Sequence, residues 1–147
     1  MGKYKEYVLG FAFSRNGKEV VLIEKQKPDW QKGKINGIGG KIEADDVNQL
    51  HAMIREFREE TGVDTSSEQW NEFGCMTFEN DITGVPCKIY LFRMFDDCIH
   101  ECFTNESEEI IKVNSDTVLD VYNCMHNLPI LIPLALSKEF KYTELKD

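Results

Sequence analysis

The stretch "GKIEADDVNQLHAMIREFREETGV", residues 40–63, decides how this chain is read. An α-helix advances about 100° per residue. With Arg55 at the origin, Glu59 falls near 40°, Glu56 near 100° and Glu60 near 140°. Leu50, Met53, Ile54, Phe57 and Thr61 gather between roughly 160° and 260°. The segment therefore predicts an amphipathic helix whose apolar stripe borders an acidic arc, with Ala52 as the small residue beneath that arc. A solvated face with Arg55 and Glu59 as an ordinary i,i+4 pair would account for part of this pattern. It does not account for Glu56 and Glu60, like charges one turn apart, which repel about as strongly as a good pair attracts. "NGIGG", residues 36–40, arrives just before the helix and brings backbone carbonyls close to the arc. Carboxylates and carbonyls are hard oxygen donors suited to Mg²⁺, with Mn²⁺ as a substitute.

Other phosphate motifs fail at this glycine cluster. A Walker A loop would need Gly five residues before Gly40 and Ser or Thr after the lysine, where Ile35 and Ile42 stand. A dinucleotide fingerprint would need a third Gly at Ile42. A metal-dependent phosphate site survives the elimination.

The rest of the chain sets bounds on that reading. At 147 residues, 41% hydrophobic and 11% aromatic, it predicts one globular domain. The formal net charge of −9 argues against polymeric nucleic acid and anionic membranes as partners. A small phosphorylated ligand stays compatible, provided a cation bridges it to the protein. No apolar run reaches a membrane span, "MGKYKEYVLG" lacks a signal-peptide core, and Glu6 stands where myristoylation wants Ser or Thr. Cysteines 75, 87, 98, 102 and 124 are odd in number and irregularly spaced, which predicts reduced thiols and a cytoplasmic location. Cys98, His100 and Cys102 lack a second pair of zinc ligands, so a surface loop is the simpler reading of that segment.

"YVLGFAFS" (7–14) and "EVVLIEKQ" (19–26) flank the turn signal "RNGK" and predict a hairpin. The helix is expected from about Val47 to Thr61. Asp46 and Gln49 would form its capping box, and Gly62 would stop it. "NEFGCMTFEN" and "CKIYLFRMF" read as strands around "DITGVP", "EEIIKV" as a sixth strand, and "NLPILIPLALSKEF" as a buried helix. Trp30 and Phe78 are candidates for stacking on a base, although such aromatics more often belong to a core.

Residues 40–63 resemble the Nudix box. Arg55, Glu56, Phe57, Glu59, Glu60, Gly62 and Val63 match every fixed position of its second half. The first half departs: Asp46 stands for the expected Glu, and eight residues rather than seven separate it from Arg55. The resemblance implies a Nudix fold, an α/β/α sandwich on a mixed β-sheet. It further implies Mg²⁺-dependent hydrolysis of a nucleoside diphosphate linked to a group X. By position, Glu56, Glu59 and Glu60 would hold the metal with the Gly39 carbonyl, Arg55 would orient Glu59, and Glu109 would complete the set, Glu108 being its close second. "INGIGGK" is similar to hydrolases of oxidised purine nucleoside triphosphates such as 8-oxo-dGTP. That likeness implies Asn36, Lys41 and Asn127 as substrate contacts, with Asn127 where those enzymes carry a carboxylate. Alternatives within the resemblance are ADP-ribose, dinucleoside polyphosphates and dinucleotide cofactors, or a nucleotide sensor without turnover. Thr77 lies where ADP-ribose hydrolases carry a proline. The implied partner is a small-molecule nucleotide, and the implied assembly a monomer or homodimer.

Overall fold

A computed structural model describes residues 4–80, 82–137, 139 and 142–146. The hairpin expected at the N-terminus is β1 (Lys5–Phe13) and β2 (Glu19–Glu24), antiparallel with Ala12 opposite Val21. A lysine-rich connection with a 3₁₀ turn at Asp29–Gln31 leads to β3 (Ile35–Asn36) and β4 (Ile38–Lys41). Helix α1 (Gln49–Thr61) follows, then β5 (Asn71–Glu79), β6 (Pro86–Phe95), β7 (Glu109–Asn114), α2 (Val118–Val121), α3 (Leu128–Leu136) and β8 (Thr143–Lys146). One mixed sheet runs β3-β2-β1-β6-β5-β8, with β4 paired to β1 and β7 to β2. β1 and β6 are parallel, as are β5 and β8.

Strand alternation divides the interior into two layers. Val8, Ala12, Val21, Ile23, Phe92 and Met94 face α1, where they meet Ala52, Met53 and Phe57. Leu9, Phe11, Phe13, Val20, Leu22 and Leu91 face the other way onto Leu128, Leu131, Ile132 and Ala135 of α3. Helix, sheet and helix form the expected α/β/α sandwich. Arg93, buried in the α3 layer, donates to the carbonyls of Ala135 (3.2 Å) and Ser137 (2.7 Å) and so satisfies the end of α3. No helix among the described residues is long and apolar enough to cross a membrane.

Two sequence expectations need correction. The N-cap of α1 is Asn48, whose side chain accepts from the His51 amide at 2.9 Å, so the helix begins at Gln49 and Asp46 does not cap it. Asn and Asp are comparable caps, and Asp46 is committed elsewhere. The Cys98 segment is not a free surface loop: it is a 3₁₀ turn, Asp97–Glu101, anchored by buried Ile99 and followed by buried Cys102. Gly62 ends α1 as expected, at φ 78° in the left-handed region.

Candidate active site

Helix α1 sets its acidic arc against β4, which is paired on the sheet only to β1 among the described residues. Ala52 is fully buried one turn before Glu56, leaving space for the Glu56 side chain to fold toward the strand. There it meets Gly40: a Cβ at that position would overlap the Glu56 Oε2. At Gly39 a Cβ would collide with the Val8 backbone carbonyl instead. The two glycines thus serve different contacts, one with the carboxylate and one with the sheet.

Arg55 organises the arc. Its guanidinium donates twice to Asp46, Nε to Oδ1 at 2.9 Å and Nη2 to Oδ2 at 2.8 Å. Nη1 reaches Glu56 Oε2 and Glu59 Oε1, both at 3.1 Å, and Nη2 also donates to the Lys41 carbonyl at 3.2 Å. The Asp46 side chain is 1% exposed, and its hydrogen bond from Arg55 holds its carboxyl below the usual range despite burial. The extra residue between Asp46 and Arg55 is therefore absorbed in the loop, and the bidentate pair forms across it.

Glu56 and Glu60 lack such compensation. Burial pushes the Glu56 carboxyl up, opposed by Arg55 and reinforced by Glu59 and Glu43. Burial, then Glu108 and Glu56, push Glu60 up to about 7 against the pull of Lys25. Glu60 Oε2 is buried and has no hydrogen-bond partner. A buried oxygen of this kind costs about 1–3 kcal/mol unless something donates to it. A divalent cation is a partner of the right chemistry, since the neighbouring donors are all oxygens. The residues present fit such an ion, Glu56 and Glu60 most directly. As they stand, no three acidic, imidazole or thiol side chains among the described residues converge into a closed cage. Arg55 accounts for this in part: it draws Glu59, 43% exposed, to its own side.

Opposite Glu60 stands Glu108 rather than Glu109. β7 pairs with β2 in a register that sets Glu109 against Glu24 and Ile110 against Ile23. Ile23 and Ile110 belong to the α1 layer. Parity therefore directs Glu108 toward α1, while Glu109 is exposed and turned with Glu24 to the other face. Burial alone would raise Glu108, but the amides of Gln26 (2.6 Å) and Lys27 (3.3 Å) and the Lys25 ammonium (3.2 Å) keep it below the ordinary range. Lys25 escaped the sequence reading altogether. Asn105 did too. Its side chain donates to the Glu59 carbonyl (2.9 Å) and its amide to that of Glu60 (3.1 Å), so it clamps the last turn of α1.

The three substrate candidates are not brought together. Asn36 pairs with Ile23 and so lies toward the α1 face, its Oδ1 accepting from the Gly37 amide at 2.8 Å. Lys41 is exposed at the end of β4. Asn127 precedes α3 on the opposite layer, makes no side-chain cap, and leaves its Oδ1 buried without a partner. It lines a cavity of about 110 Å³ with Met76, His126, Ile130, Leu131, Leu145 and Lys146. Trp30 is exposed, not core.

A family whose description is NUDIX domain matches residues 3–128. The chain belongs to the NUDIX family. Its chemistry is accordingly that of a Nudix pyrophosphohydrolase. No curated protein matches the chain in sequence. Among solved structures, the chain is similar to MutT from the study of Aliivibrio salmonicida and Vibrio cholerae, at 20% identity and TM-score 0.62 over 90% of this chain and 97% of that one. MutT from Methanosarcina mazei aligns at 19% identity and TM-score 0.68, covering 90% and 94%. The NUDIX domain of Shewanella oneidensis NrtR, complexed with ADP ribose, aligns at 12% identity and TM-score 0.69, covering 92% and 88%. At these identities the structures share the Nudix fold, and the substrate has to be argued from this chain's own residues.

Proposed function

We propose that this Nudix domain, spanning the whole chain, hydrolyses the pyrophosphate linkage of a nucleoside diphosphate-X with Mg²⁺, Mn²⁺ substituting. The first substrates to expect are (d)NTPs, oxidised purines such as 8-oxo-dGTP among them, yielding a nucleoside monophosphate and pyrophosphate. The observation that carries this reading is the buried, unpartnered Glu60 Oε2 beside Glu56, which Gly40 lets approach the strand.

In this reading Glu56, Glu60 and the Gly39 carbonyl hold the metal, Glu59 joins them from its position on Arg55, and Glu108, the second choice that the resemblance implied, takes the role expected of Glu109. When bound, the divalent ion neutralises pyrophosphate charge and lowers the pKa of a coordinated water. Arg55 Nη1 bridges Glu56 and Glu59 and aims both. Asp46 fixes Arg55 in turn, as outer support for the carboxylates. Asn105 holds the helical turn from which Glu59 and Glu60 project. Asn127, on the layer opposite Glu60, lends the purine reading no support, and that reading rests on the likeness of the Asn36 segment. Asn36, on the α1 face, is the residue nearer the phosphate side, and Lys41 offers a solvent-exposed cation.

Turnover with Mg²⁺ on 8-oxo-dGTP, dGTP, ADP-ribose and diadenosine tetraphosphate at one concentration tests the reading, alongside Glu59→Gln and Glu60→Gln. Triphosphates cleaved fastest, with losses of orders of magnitude in both variants, support it. ADP-ribose cleaved fastest overturns the substrate. Binding without turnover, alike in wild type and variants, makes the domain a sensor.

A further inference from the structure

A guanidinium carries five N–H groups, and Arg55 has an acceptor for each of them. Nε meets Asp46 Oδ1, Nη2 meets Asp46 Oδ2 and the Lys41 carbonyl, and Nη1 meets Glu56 Oε2 and Glu59 Oε1. One more carboxylate stands beside Nη1 with no hydrogen left to accept: Glu43 Oε2, at 3.6 Å. A tight turn holds it there. The Glu43 amide donates to Asp46 Oδ2 at 2.8 Å, and the Asp46 amide donates to the Glu43 carbonyl at 3.0 Å. Asp46 thus fixes both the guanidinium and the backbone of residue 43. The two side chains differ in freedom, since Glu43 is 62% exposed and Arg55 only 13%. Glu43 can swing, whereas Arg55 has little water to turn to. The placement carries a cost, because the Glu43 charge opposes ionisation of Glu56.

In the function proposed above, on which this inference rests, Glu59 leaves Arg55 to join the metal ligands. Its departure withdraws an acceptor from a largely buried, charged N–H, and a donor stranded in that way is costly. We propose that Glu43 is a positioning residue that accepts the Nη1 hydrogen Glu59 gives up, so that Arg55 stays aimed at Glu56 while Glu59 turns to the cation. The distance to cover is small: about 0.7 Å separates the present contact from an ordinary charge-assisted N–H···O length of ~2.9 Å. One guanidinium then serves two arrangements of carboxylates, with every N–H met in both.

Glu43→Ala and Glu43→Gln on the full chain test this beside the wild type. Both variants lose the charge, so attraction of the cation through space and repulsion of Glu56 change alike in the two. Only Gln keeps an acceptor oxygen of the same reach. Calorimetric titration with Mn²⁺ at about pH 8, where the exposed carboxylates are ionised, reads the affinity. Glu43→Ala should bind Mn²⁺ about three- to fivefold more weakly than Glu43→Gln, the range expected of a partly exposed charged contact. In EDTA the two variants should melt together, because residue 43 has no N–H to accept while Glu59 occupies Arg55. Equal Mn²⁺ affinities in Ala and Gln would overturn the proposal, since Glu43 would then act by charge alone or not at all. Melting of Ala below Gln in EDTA would overturn it too, by making Glu43 a permanent structural contact. A wild type that takes up no Mn²⁺ refutes the proposed function along with this inference, whereas uptake by the wild type with Ala and Gln alike refutes this inference alone.

Discussion

Replacing Glu60 by Gln should make the metal-free protein more stable while destroying its activity. In the fold the Glu60 carboxyl titrates near 7 instead of 4.5, because burial and then Glu108 and Glu56 disfavour its charged form. Between those values the folded state binds the proton more tightly than the unfolded chain does, so stability declines as pH rises through that window. Fully ionised at about pH 8, a carboxyl so displaced would cost at most ~3 kcal/mol. Glu60 is only partly buried as a residue, and solvent screening reduces this to ~1–2 kcal/mol. Gln keeps the shape, carries no charge, and brings an amide that can donate to its neighbours. Thermal denaturation in EDTA at about pH 8 should place the variant about 3–6 °C above wild type. Near pH 4, where Glu60 is protonated in folded and unfolded chains alike, the two should coincide. Magnesium should then raise the wild type and leave the variant where it is. A variant melting at or below wild type across this range would refute the reasoning, since Glu60 would not be a charge waiting for a cation.

Gly40→Ala should preserve the fold and reduce turnover, because the added Cβ displaces only the flexible end of Glu56; Gly39→Ala presses on the Val8 carbonyl and should reduce soluble, folded protein. Circular dichroism beside kcat separates the two. Glu108→Gln should lower kcat by about 10- to 100-fold, whereas Glu109→Gln should leave it unchanged in the same assay; the reverse order would contradict the strand parity described here. Arg93→Leu strands the carbonyls of Ala135 and Ser137 and the Asn71 side chain. It should cost ~2–4 kcal/mol in urea denaturation, with the kcat of the remaining folded enzyme intact.

The helix, its acidic arc and its Gly62 stop were legible because they are local: an 18-residue window contains the period, the cap types and the breaker. The first hairpin was legible for the same reason. Glu108 against Glu109 was not, since either residue satisfies the local pattern. The choice depends on β7 meeting β2 some 90 residues earlier in the chain, and one step of register exchanges the two faces. Asp46 was assigned to the helix cap because Asp with Gln three residues on imitates a capping box. Asn48 took the cap, and a guanidinium nine residues away took Asp46. Lys25 and Asn105 act through long-range contacts with Glu108 and the end of α1, and nothing in their immediate sequence marks them. Asn36 and Asn127 were legible as polar residues beside motifs, but not as occupants of opposite layers.

Manganese uptake by the wild-type protein, followed by electron paramagnetic resonance of the free ion and repeated with Glu56→Gln and Glu60→Gln, bears most directly on the account. Loss of free-ion signal at millimolar or lower concentration in the wild type, and its persistence in both variants, is the predicted result. Free-ion signal undiminished by the wild type, with and without nucleotide, would contradict it.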